Sequence, residues 1–266
     1  MQASRAMRSA SHAAGPDGPH PARPASPPAV PNVAWAVALA SVATVALALV
    51  IEQSFVLDDV FLWRVLLLLL IGGSALLVLA AKHGHAKSFG TANIVTLARG
   101  ALTTVLFALL GAGTHAAVAW LIVSIAVVAL ILDGVDGRLA RRRGEVSDFG
   151  ARFDMETDAL LILVMTGLAW QFGKAGPWIV LAGALRYAFI AAGLGFAWLR
   201  RALPSSRRRQ TICVIQIVSL VACLLPPVAP PFSSWIALGG LLLLLSSFAI
   251  DVAWLARRTA AARISE

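Results

Sequence analysis

Charge is what this sequence has least of. Asp, Glu, Lys and Arg supply 13% of its 266 residues, against about 25% in an ordinary globular domain. With 59% hydrophobic residues and a mean hydropathy of +0.82, a water-soluble fold is excluded. Cysteine is nearly missing. Cys213 and Cys223 share one apolar stretch, which excludes a disulfide framework or a thiolate metal site and reads both as small buried hydrophobes. Tyr187 is the one tyrosine, and no aromatic cage for a quaternary ammonium is evident; the tryptophans read mostly as anchors at a membrane interface. Acids number 13 against 22 Lys and Arg, a net charge of +9. That balance can signal nucleic-acid binding, but here the basic residues sit between apolar stretches, so no nucleic acid is expected.

What is present is a series of long apolar runs. A bilayer core of about 30 Å needs roughly 20 apolar residues per helical crossing. Eight stretches qualify: 33–51, 61–81, 93–113, 117–137, 155–172, 177–198, 211–228 and 233–255. The expected architecture is all-α and polytopic. Residues 1–31 hold seven prolines and no apolar signal core, and read as a disordered tail. Of the 22 basic residues, 19 fall in alternate segments. These are the N-terminal tail, the connector with Lys82, Lys87 and Arg99, the connector from Arg138 to Arg152, the connector from Arg200 to Arg209, and the C-terminal tail. The positive-inside rule then makes both termini cytoplasmic. Arg186 lies inside a span, where an ionised group is costly enough to mark a functional candidate. The stretch KHGHAKSF, from Lys82 to Phe89, separates a first helical pair from six further spans. It reads as a solvated connector or as a short interfacial helix with Phe89 toward lipid and Lys87 toward headgroups.

Seven of the 13 acids fall between Asp133 and Asp158. Asp133 and Asp136 are three apart and Asp154 and Asp158 four apart, so each pair shares a helix face. Two antiparallel helices would bring four carboxylates together at one end of the membrane. Such a cluster needs counter-charge. All-oxygen ligation without nearby His or Cys selects Mg²⁺, Mn²⁺ or Ca²⁺, and two such ions form a clamp suited to displacement at phosphorus. Gly134, Gly137 and Ala140 thin one helix, Gly150 and Ala151 the next, leaving room for close approach of a base or phosphate. Arg141, one turn beyond Gly137, is placed to meet a diphosphate, whereas Arg142 and Arg143 read as topology alone.

The segment from Asp133 to Asp158 resembles the CDP-alcohol phosphotransferase signature, D-x2-D-G-x2-A-R-x8-G-x3-D-x3-D. It matches at Asp133, Asp136, Gly137, Ala140, Arg141, Gly150, Asp154 and Asp158. The resemblance implies a six-helix core preceded by an added N-terminal pair, dividing the chain into a cytoplasmic tail (1–31), the pair (32–86), the catalytic core (87–258) and a C-terminal tail (259–266). It further implies that Asp133, Asp136, Asp154 and Asp158 bind two divalent metals, Mg²⁺ or Mn²⁺, and that Asp158 is also the general base. Asp133, Gly137, Arg141 and Ser147 would meet the CDP donor. Upstream, ANIVTLAR resembles the family's P-N-x-x-T-x-x-R, with Ala92 in the place of Pro, which adds Asn93 and Thr96 near the nucleotide.

The implied reaction transfers a phosphatidyl or similar group from a CDP-linked lipid to a small alcohol, releasing CMP, in phospholipid biosynthesis. The expected setting is an inner bacterial membrane, with the site at its cytoplasmic side, membrane lipids as surroundings and a homodimer compatible with the sequence. Arg186 and the run Arg207, Arg208 and Arg209 resemble the basic residues of members that use phosphorylated acceptors such as glycerol 3-phosphate. For the run, plain topology and attraction to anionic lipid explain the charge equally well. The alternatives are transfer from a CDP-linked small alcohol to a lipid acceptor, a transporter, and a non-catalytic scaffold. A transporter usually shows repeats and helices broken at midplane, and a degenerate scaffold would lack one of the aspartates.

Overall fold

A computed structural model describes residues 32–82, 89–143, 148–201, 203 and 206–264. The N-terminal tail and the connector 83–88 lie outside the described residues, as does 144–147. Among the described residues the protein is all-helical: α1 Val33–Ser54, α2 Phe61–Lys82, α3 Thr91–Ala108, α4 Ala116–Arg143, α5 Asp148–Gln171, α6 Val180–Gly195, α7 Arg207–Leu224 and α8 Phe232–Ile264. Eight helices stand where eight spans are expected. Six of them, α6 taken together with the 3-10 turn Pro177–Ile179 that leads into it, are long and apolar enough to cross a membrane, and the protein is integral to one. The other two, α5 and α7, carry Asp154, Glu156 and Asp158 or Arg207, Arg208 and Arg209 within the required length; their charges serve other ends.

Local chemistry sets the helix boundaries. Asn32 caps α1 by accepting from the Ala34 N–H at 3.1 Å, which satisfies one of the orphan donors of a helix start. Gly111, at φ +90°, ends the α3 turn in a conformation that a side chain would disfavour. Trp35, Trp63, Trp120, Trp170 and Trp235, all exposed, fall within two turns of a helix end, as expected for rings held at a membrane interface.

The helices alternate in direction, and two sets of contacts define the two ends of the bundle. At one, Val33 of α1, Leu76 and Ala80 of α2, Phe89 and Phe149 form a buried cluster with Phe153. Phe89 is therefore inside the protein, 6.3 Å from the Phe153 ring centre, and not turned to lipid: the start of α5 offers it two aromatic rings to pack against. At the other end Arg64 of α2 donates to the carbonyls of Ala108 and Leu110 at 3.3 and 2.7 Å and pairs with Asp58. Gln171 bonds Gly111 N–H and Ala112 C=O. Lys174 donates to the carbonyls of Leu225, Pro226 and Val228. Each polar chain here satisfies helix-end groups that lipid cannot. The first helical pair is thus fastened at both ends, to Phe89 and the start of α5 at one and to the end of α3 at the other.

Candidate functional site

The site grows from α3. Asn93, Thr96, Arg99 and Thr103 recur every three to four residues, so they share one face, and all four are buried. This polar stripe lies in the wall where α3 packs against α4 and α5. The Thr96 hydroxyl donates to the Ala92 carbonyl at 3.2 Å, and Thr103 to that of Arg99 at 2.8 Å. Both hydroxyls thus have an acceptor within the helix, while Arg99 reaches across to α4 and α5.

Among the described residues, Arg99 reaches three aspartates at once. One terminal nitrogen, Nη1, lies 3.0 Å from Asp133 Oδ1 and 2.6 Å from Asp154 Oδ1. The other, Nη2, pairs with Asp158 Oδ1. The guanidinium has no solvent exposure, while the carboxylates retain 20%, 42% and 19%. Asp133 comes from the second half of α4 and the other two from the first half of α5. The antiparallel pair thus converges at its polar end, as the spacing leads one to expect. Each of the three offers an oxygen within 4.8 Å of the others'.

Three carboxylates against one guanidinium leave two negative charges among these groups. In a low-dielectric wall that imbalance is unfavourable, and a divalent cation is the group that would close it. The donor set is hard oxygen only, which suits Mg²⁺ or Mn²⁺. Gly134, the next residue of α4, lies about 100° round the helix from Asp133, on an open face where a side chain would meet nothing within 4 Å. Asp136 lies one turn further along α4; its side chain, with those of Gly137, Ala140 and Arg141, is outside the described set, as is Ser147.

Two features of the site escape sequence reasoning. Arg99 reads there as connector charge, yet it lies within α3 and is fully buried. The rule that singles out Arg186, an ionised group inside a span, applies to it with more force. Cys213 of α7 reads as filler, yet its Sγ lies 3.7 Å from Asp158 Oδ2. That contact brings α7 to the site. Arg209, one turn earlier on the same face as Cys213, extends the wall toward the polar end and lies 3.5 Å from Asp251. Arg208 meets the same Asp251 carboxylate more closely, at 2.5 Å, and Ser247 as well, and Arg207 is exposed.

Arg186 is not brought to the aspartates. Its guanidinium pairs with Glu156 through two nitrogens and meets Met155 Sδ at 2.8 Å. At about 100° per residue, Glu156 points away from the face shared by Asp154 and Asp158. We expect Arg186→Ala to lower thermal stability slightly and to leave acceptor KM unchanged; a severalfold rise in acceptor KM would return Arg186 to the site.

The sequence model of the CDP-alcohol phosphatidyltransferase family matches residues 89–246, a stretch that contains every residue of this cluster and more than half the chain. The chain belongs to the CDP-alcohol phosphatidyltransferase family. No curated protein and no solved structure matches it. The family is one of transferases that act on CDP-alcohols and generally depend on metal, and the aspartate cluster of this member is a set of groups that could bind one. The match begins at Phe89, the ring that packs on Phe149 and Phe153, and leaves α1 and α2 outside it.

Proposed function

We propose that this protein transfers a phosphatidyl group from a CDP-linked lipid, such as CDP-diacylglycerol, to an alcohol, releasing CMP as a step of phospholipid synthesis. The observation that carries the reading is the convergence of Asp133, Asp154 and Asp158 on one point with two negative charges in excess. In this reading the three, with Asp136, hold two divalent cations. When bound, these would neutralise the diphosphate and stabilise the departing CMP. Asp158 takes the acceptor hydroxyl's proton as that oxygen attacks the β-phosphorus. The bond from that phosphorus to the bridging oxygen breaks, and CMP leaves with the oxygen. A carboxylate is a weak base, so holding the hydroxyl in line matters as much as basicity.

Asn93, Thr96, Gly137, Arg141 and Ser147 are assigned to the donor. For a phosphorylated acceptor such as glycerol 3-phosphate, Arg209 is the favoured contact, because it lies one turn from Cys213, which touches Asp158. Arg suits bidentate phosphate binding. Arg209→Ala should raise acceptor KM about tenfold, the size expected for losing one charge-assisted contact, with little change for the CDP donor; an unchanged acceptor KM would remove Arg209 from the site. Labelled CDP-diacylglycerol, supplied to the purified protein with a panel of alcohols and followed by identification of the lipid product, tests the direction of transfer and names the acceptor. A product formed only from a CDP-linked small alcohol and a lipid hydroxyl would reverse the assignment.

We also propose that residues 87–258 are the catalytic core and 32–86 an added pair, and that the site and both termini face the cytoplasm of a bacterial inner membrane. The charge asymmetry supports this orientation. Reporters fused after residue 31, near Arg143, near Arg208 and at Glu266 should all report cytoplasm. An external signal at Arg143 would contradict it.

A further inference from the structure

We infer that Arg99 is the resident counter-cation of the aspartate site and couples metal binding to nucleotide binding. The inference rests on the reading of these carboxylates as metal ligands. The guanidinium engages one oxygen of each of Asp133, Asp154 and Asp158. It therefore keeps three carboxylates converged that would otherwise repel one another. It also competes for the same place. A cation entering between these groups meets a fixed positive charge and carboxylate oxygens already engaged as acceptors.

Arg99 cannot simply swing into solvent, because its side chain is wholly buried between α3, α4 and α5. A guanidinium leaving a carboxylate in a low dielectric needs another anion. The donor brings one: its diphosphate is a doubly acceptor-rich anion of the type that Arg's planar fork fits. Metal alone therefore binds against Arg99, and metal with a nucleoside diphosphate binds after Arg99 has been offered a new partner. By linkage each ligand then tightens the other. The consequence is that the site stays metal-poor until donor arrives, and that Arg99 is a positioning residue acting through the aspartates.

The test is Mn²⁺ binding to the full-length protein in detergent, stripped of metal, read from the free-Mn²⁺ paramagnetic resonance signal with and without CDP. Protein-free controls subtract the Mn²⁺ that CDP itself holds. Wild type should bind Mn²⁺ about 5- to 150-fold more tightly when CDP is present, the usual range of coupling between two sites. Arg99→Gln should bind Mn²⁺ alone more tightly than wild type, and CDP should add little. Metal-free Arg99→Gln should also melt below wild type and regain the difference in Mn²⁺, a pattern that a purely structural arginine would not give. If Arg99→Gln cannot be isolated, Arg99→Lys, which retains the charge without the fork, should show the same loss of coupling in smaller measure. Equal Mn²⁺ affinity and equal CDP coupling in wild type and variant would overturn the inference and leave the metal reading intact. Wild type that takes up no Mn²⁺ even with CDP would instead overturn the metal reading itself.

Discussion

Asp158→Asn should abolish transfer, with CMP release falling at least about a thousandfold, since general-base loss alone costs about 10²- to 10⁴-fold and a metal ligand is weakened at the same position. The fold should survive. Asn is nearly isosteric, its amide oxygen still accepts from Arg99, and Asp133 and Asp154 continue to neutralise the guanidinium. Cys213, 3.7 Å from the second oxygen, loses only a weak thiol contact. Thermal unfolding close to wild type together with silent CMP release is the expected pair of results. Near-normal turnover in a folded variant would remove Asp158 as the base.

Gly183→Ala should damage the fold more than any other small substitution in α6. A Cβ there would overlap the Cα of Leu163 in α5 and stand 2.8 Å from Leu163 Cδ1 and 2.9 Å from Thr166 Oγ1. Backbone cannot step aside as a side-chain end can. Helices in membranes approach closely through small residues because packing, not water exclusion, holds them together. Overpacking of this kind costs about 1 to 3 kcal/mol, and because α5 carries Asp154 and Asp158, activity should fall with stability. Gly72→Ala in α2, where a Cβ meets nothing within 4 Å, is the control and should be neutral. Equal melting temperatures for the two variants would show that α5 and α6 are less tightly joined than described.

The helices were legible because an apolar run of bilayer length has few alternatives in lipid. Expected span 61–81 and helix Phe61–Lys82 nearly coincide. The convergence of Asp133 with Asp154 and Asp158 was legible for a related reason: helical spacing fixes the shared face, and a short connector fixes the antiparallel pairing. Arg99 was not, because charge counting treats any Arg near a span's end as topology. Only the burial of Asn93, Thr96 and Thr103 along the same stripe reveals where it points. Arg186 is the opposite case. Its isolation inside a span suggested a ligand, and the acid that meets it, Glu156, lies on a different helix. Phe89 was misread because a lone aromatic beside a polar connector looks interfacial until Phe149 and Phe153 are folded onto it.

The central claim is that the aspartate cluster performs metal-dependent displacement on a CDP-linked lipid. Its most direct measurement is CMP released from CDP-diacylglycerol by the purified protein with an alcohol acceptor, in Mg²⁺ or Mn²⁺, after EDTA, and after metal is restored. The account predicts release in metal, none in EDTA and recovery on restoration. Undiminished release in excess EDTA would contradict it.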